Sequence, residues 1–221
     1  MAQQARFWSR LGILGGVYAV LFVVVNVLFG SQPGTGATAA TVVTFYDAHR
    51  TAQTAGVFVV IVAVVVLAFF LASLRRTLAG NGDGRHLANV VTAGGAVYSV
   101  GLVSMATLTM ALVDAAHHHL SGATQSLNVL SNDMWILVVP GLAILALGTG
   151  VAALRTATLP KWLAWASVAL GVLALAGPAG GIAFLVAPLW ALVTGIVILR
   201  SPDPESVAAE PAVAGLRRAG V

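Results

Sequence analysis

The feature that most constrains the fold is an uninterrupted apolar stretch, Ala55 to Leu74. It contains twenty residues and no Asp, Glu, Lys, Arg or His. As an α-helix it would be about 30 Å long, which matches the hydrocarbon core of a bilayer. Apolar residues surround the whole helix, so no polar face is left for solvent. Arg75 and Arg76 follow directly. The stretch therefore predicts a membrane-spanning helix.

Five further apolar stretches resemble this one, and the chain is 59% hydrophobic but only 8% charged. Soluble domains carry roughly 25% charged residues, so the composition favours a membrane protein. The first apolar run is longer than the core of a signal peptide, which predicts an uncleaved first helix. The sequence predicts one bundle over residues 1–200 and a mobile cytoplasmic tail over 201–221. The predicted spans are 11–30, 55–74, 87–113, 134–154, 162–176 and 182–199.

The basic residues predict the orientation of the six spans. If both termini are cytoplasmic, ten basic residues lie inside and only Arg50 lies outside. Such an excess is typical of cytoplasmic loops. The predicted fold is thus an all-α bundle of six transmembrane helices, in a multi-pass arrangement, with both termini in the cytoplasm.

Two polar features lie near the outer ends of the first two spans. Helical spacing over Thr38 to Arg50 predicts a short interfacial helix before the second span, with an ion pair between Asp47 and Arg50. Asn26 is the strongly polar side chain of the first span. We expect it to hydrogen-bond a neighbouring helix, as buried amides do in lipid.

Several classes of function are disfavoured by what the sequence lacks. The chain has no cysteine, which excludes thiolate metal sites and cysteine nucleophiles. No span has an ionisable residue in its interior, which counts against ion-coupled pumping. No hydrolase, nucleotide-binding or zinc-protease motif is present, which counts against an enzyme without excluding one. The net charge of +4 comes from arginines at helix ends and does not indicate nucleic-acid binding.

The outer histidines form a candidate site for a divalent metal. Asp114 precedes His117 and His118 by three and four residues, so a helix would place all three on one side. Carboxylate and imidazole groups both bind divalent metals, and His49 or Asp47 could complete the ligand set. The alternative is a solvated helix end whose histidines suit the helix C-terminus.

A second candidate site is an outer pocket. The fifth predicted span is only fifteen residues long, and the small-residue turn Gly177 to Gly181 follows it. Pro140 and Pro188 can bend the neighbouring helices. We therefore expect a pocket on the outer side, rimmed by Asn26, Tyr46 and Trp135 together with His49 or His117.

Two segments carry a resemblance to a known group of proteins. The segment YDAHR at Tyr46–Arg50 precedes a span, and LRTATLPKWLAW at Leu154–Trp165 joins two spans. Both resemble small multi-pass membrane proteins of unknown function that are common in actinobacteria. The resemblance implies a bacterial plasma membrane and this architecture, but no reaction and no binding residues. The excess of arginine over lysine is typical of a GC-rich bacterial genome.

Three hypotheses for function follow. The first is a non-enzymatic binding or accessory protein that binds an amphiphilic small molecule or a membrane protein partner through its outer half. The second is a small transporter with a cavity between two three-helix halves. The third is a membrane enzyme or metal-binding protein that uses the outer His and Asp residues.

Overall fold

The protein is all-α over the residues that the structure describes. The structure, a computed structural model, describes residues 11–79 and 84–200, of which 88% are helical and none is in a strand. The predicted tail over 201–221 lies outside the described residues. A 3₁₀ turn over Gly177–Ala179 precedes the last helix. The helices are α1 (Ile13–Phe29), α2 (Ala39–Ala48), α3 (Arg50–Ala79), α4 (Gly84–His117), α5 (Ser121–Asp133), α6 (Trp135–Thr156), α7 (Lys161–Ala174) and α8 (Gly180–Arg200).

Four helical segments of the described chain are long and apolar enough to cross a membrane. They are α3, α4, the consecutive helices α5 and α6 taken together, and α8 with the turn before it. The helices α1 and α7 are apolar but shorter. Large apolar side chains such as Ile61, Val65 and Phe69 are exposed on the outside of the bundle. A surface of this kind suits lipid rather than water, and the protein is a multi-pass membrane protein.

The six apolar helices form a ring in chain order. Each packs on the next, through α1, α3, α4, α6, α7 and α8, and α8 closes the ring by packing on α1. The bundle has two distinguishable ends. The arginine end holds the end of α3, the start of α4 and the turn between α6 and α7, since Gly84 lies beside Leu78 and Thr156. The cap end holds α2 and α5.

Glycines allow the closest approaches in this ring. A Cβ on Gly141 of α6 would collide with the backbone of Tyr98 on α4, and one on Gly15 of α1 would collide with the backbone of Ala191 on α8. Only a residue without a side chain permits such contact between helix backbones. These contacts set the distances between the helix axes and so the positions of neighbouring side chains such as that of Tyr98.

The cap is a small separate core built by α2, α5 and the end of α4. Val42 and Tyr46 from α2 pack on Leu112 and Val113 of α4, and all four are fully buried. The Tyr46 hydroxyl makes no hydrogen bond of good geometry. Burial raises the pKa of Tyr46 to about 12, although the nearby Ser131 side chain acts in the opposite direction. The phenol is therefore neutral at physiological pH.

The cap corrects two of the expectations from sequence. The interfacial helix α2 is present, but the predicted span 87–113 is too short, because α4 continues to His117 and α5 fills most of the segment before the predicted span 134–154. The expected ion pair between Asp47 and Arg50 is wrong. Within the described residues, Asp47 instead contacts the ring Nδ1 of His117 at 3.5 Å.

Candidate ligand pocket

A pocket of about 240 Å³ lies between α1, α3, α4 and α8 toward the cap end. Phe22 and Val25 of α1 form one wall, and Ala63 of α3 with Ala106 of α4 form another. Phe184 of α8 meets Phe22 edge to face, with ring centroids 5.3 Å apart. The pocket exists because α1 packs on α3 and α8 rather than along α4. Its volume lies just below the usual range for ligand pockets, so it would hold one small or slender molecule.

Tyr18, one of a pair of buried tyrosines, forms the deep end of the pocket, the end farthest from its exposed lining residues. The hydroxyl of Tyr18 on α1 lies 2.8 Å from the hydroxyl of Tyr98 on α4. Tyr18 lines the pocket, Tyr98 does not, and both are at most 2% exposed. The pair bridges two helices that otherwise pack little on each other. It places a polar group roughly 16 Å along α1 from the Phe29 end.

The mouth of the pocket is more polar than its walls. Exposed Asn26 and Gln32 line it together with Gly30. The backbone carbonyl of Phe29, another lining residue, accepts a 2.9 Å hydrogen bond from the fully buried side-chain amide of Gln53 on α3. This bond holds the end of α1 against α3. The pocket thus combines apolar walls with polar groups at both ends, an arrangement suited to an amphiphile.

Of the three residues expected to rim an outer pocket, one lines this pocket. Asn26 lies at its mouth, but its side-chain amide donates to the Phe22 carbonyl of its own helix at 2.8 Å, not to a neighbouring helix. Tyr46 is buried in the cap. Trp135 lies at the start of α6, where its ring would meet a Cβ on Gly180. The short helix α7 contributes no lining residue, so it is not what creates this pocket.

The candidate metal ligands do not converge on one point. In the described chain no three His, Cys, Asp or Glu side chains are placed to hold a metal ion. The ring of His49 bonds the Phe45 carbonyl at 2.8 Å and stacks on the Phe45 ring. His117 contacts Asp47, as described above. Asp114 is exposed, and its carbonyl accepts a hydrogen bond from the backbone amide of His118.

His119 has a structural role at the end of α4. Its backbone is left-handed, with a φ of 55°. The His119 amide bonds the Ala116 carbonyl, and the Leu120 amide bonds the Ala115 carbonyl at 2.9 Å. These two bonds are those of a Schellman motif, which ends a helix and turns the chain. The motif directs the chain into α5 and so helps to build the cap.

Sequence reasoning missed Tyr18, Gln53 and Tyr98. Gln53 and the two tyrosines are the polar groups that tie the helices around the pocket. A tyrosine counts as apolar in a hydropathy profile, and these two are separated by 80 positions in the chain. One sequence signal could have identified the two tyrosines. A tyrosine hydroxyl far inside a span needs a hydrogen-bond partner, so two such tyrosines in different spans could be expected to pair.

Comparison of the chain with protein-family models, with curated proteins and with solved structures finds no match.

Proposed function

We propose that this protein is a non-enzymatic membrane protein that binds one small amphiphilic or apolar molecule in the pocket between α1, α3, α4 and α8. The observation that carries the proposal is the shape of that pocket. Its walls are apolar, its exposed lining residues Asn26 and Gln32 are polar, and its most buried lining residue is Tyr18, whose hydroxyl contacts that of Tyr98. None of the lining residues lies at the arginine end, so the pocket does not extend through the bundle, which favours binding over transport across the bilayer.

The proposed orientation gives this pocket access from outside the cell. All six apolar helices cross the plasma membrane of a bacterium, and both termini are cytoplasmic. The support is charge: Arg75 lies near the end of α3, and Arg155 and Lys161 lie on either side of the turn between α6 and α7, all at the arginine end. The cap end then faces outward, so a ligand would enter from the outer leaflet or the medium.

Photolabelling tests the binding site directly. The probe is a medium-chain alkane that carries a diazirine, applied to the full chain in lipid nanodiscs. Peptides that contain Phe22 and Met105 should be labelled saturably, and an excess of unlabelled alkane should remove that label. Labelling of the exposed residue Ile61 should rise linearly with probe concentration, as expected for contact with bulk lipid.

Filling the pocket should abolish the saturable label. Ala63 lines the pocket and is 5% exposed, so Ala63→Leu would place a larger side chain in the empty volume. Ala68→Leu on the exposed face of the same helix is the matched control. The proposal is overturned if the wild-type protein shows no saturable label, or if Ala63→Leu and Ala68→Leu give the same labelling.

A further inference from the structure

The tyrosine pair leaves one hydroxyl proton without an acceptor. Tyr18 and Tyr98 together carry two O–H groups, but the contact between them uses one proton. Neither hydroxyl has another hydrogen-bond acceptor among the described residues. A buried donor without an acceptor costs free energy, so the direction in which this second proton points matters.

The surroundings of the two tyrosines favour one of the two arrangements of these protons. If Tyr18 donated to Tyr98, the Tyr98 proton would be left in closely packed protein, because Tyr98 is 1% exposed and does not line the pocket. If Tyr98 donates to Tyr18, the Tyr18 proton can point into the pocket that Tyr18 lines. The second arrangement offers the proton to an acceptor that enters the pocket.

We infer that the pocket selects a neutral lipophilic carbonyl compound, such as a ketone, ester or quinone, and that the Tyr18 hydroxyl donates a hydrogen bond to its carbonyl oxygen. This inference rests on the proposed function and names its class of ligand. The carbonyl end lies deepest and the apolar part extends along Phe22 toward the mouth. A carboxylate is disfavoured there because no cationic side chain lines the pocket to balance its charge.

The neighbouring contacts hold the donor in place. Gly141 lets α6 approach the backbone of Tyr98, which positions that residue from one side. Tyr98 in turn fixes the hydroxyl of Tyr18 across the bundle. Tyr98 is therefore a positioning residue, and Tyr18 is the residue that contacts the ligand.

Competition against the diazirine probe tests this inference. The competitors are a methyl ketone and the n-alkane of the same chain length, and the readout is the ratio of their apparent affinities. Comparing that ratio between variants cancels the difference in how the two compounds partition into lipid. For Tyr18→Phe the preference for the ketone should fall roughly two- to tenfold, the worth of one hydrogen bond. Affinity for the alkane should be unchanged.

Tyr98→Phe is the matched control. Both variants remove the same bond between the two tyrosines, so a general structural effect would appear equally in both. Tyr98→Phe should lower the ketone preference less than Tyr18→Phe does, because it removes the positioning contact but keeps the Tyr18 hydroxyl that donates to the ligand. If alkane and ketone both bind and Tyr18→Phe leaves the ratio unchanged, the Tyr18 hydroxyl does not bind the carbonyl and the inference is wrong, while the proposed function stands. If neither compound competes in the wild-type protein, the proposed function itself fails.

Discussion

The three consecutive histidines have three different environments. His117 contacts Asp47 of α2, His118 is exposed, and His119 adopts the left-handed backbone that ends α4. Histidine is one of the few residues other than glycine that adopts this conformation with any frequency, although it is still strained there. A run of residues that suggests a metal site in the sequence is thus divided among a contact between helices, a solvated position and a helix cap.

Replacing His119 with glycine should stabilise the protein. Glycine adopts a φ of 55° without the steric cost that a side chain brings, so His119→Gly should raise the free energy of unfolding by about 1 kcal/mol. The measurement is thermal unfolding in detergent. His118→Gly is the control and should give no gain, because His118 has no left-handed backbone to relieve. A lower melting temperature for His119→Gly would show that its side chain matters more than its backbone.

At the scale of whole helices, the contact between α4 and α6 depends on glycine. Gly94 and Gly101 of α4 and Gly141 of α6 each lie where a Cβ would meet backbone atoms of the other helix. Because the lipid tails are as apolar as the side chains, the helices gain stability mainly from this close packing. The same contact positions Tyr98, whose hydroxyl meets that of Tyr18 at the deep end of the pocket, so packing and the candidate site are coupled.

A methyl group at Gly141 should force α4 and α6 apart. Overpacking of this kind costs about 1–3 kcal/mol, so Gly141→Ala should lower the melting temperature. Gly181 of α8 has no atom within 4 Å of an added Cβ, and Gly181→Ala is therefore the matched control. Gly141→Ala should also weaken saturable photolabelling of the pocket, through displacement of Tyr98. Equal stability of the two variants would contradict the close contact.

For the molecule as a whole, hydropathy located the apolar helices but not the cap or the pocket. The segment from Ser121 to Asp133 is mostly polar and has no long apolar run. Its helix forms because tertiary contacts support it: Thr124 and Asn128 are buried, and the Asn128 side chain donates to the Gly34 carbonyl at 3.1 Å. The pocket depends on which helices become neighbours, and a tyrosine pair separated by 80 positions leaves no local pattern. Spacing along one helix can be read from the sequence, whereas contacts between helices depend on the fold.

The proposed topology makes a prediction for the whole molecule. Because the chain has no cysteine, a single cysteine can report the side of the membrane on which each turn lies. Gly82→Cys lies in the sequence between α3 and α4, and Gly122→Cys lies in α5 of the cap. In intact cells, a membrane-impermeant maleimide should label Gly122→Cys but not Gly82→Cys, and permeabilisation should expose both, because the basic residues hold the arginine end inside. Labelling of both variants in intact cells would place positions 82 and 122 on the same side of the membrane and exclude the six-span arrangement. Labelling of Gly82→Cys alone would show that the protein has the opposite orientation, with the pocket facing the cytoplasm.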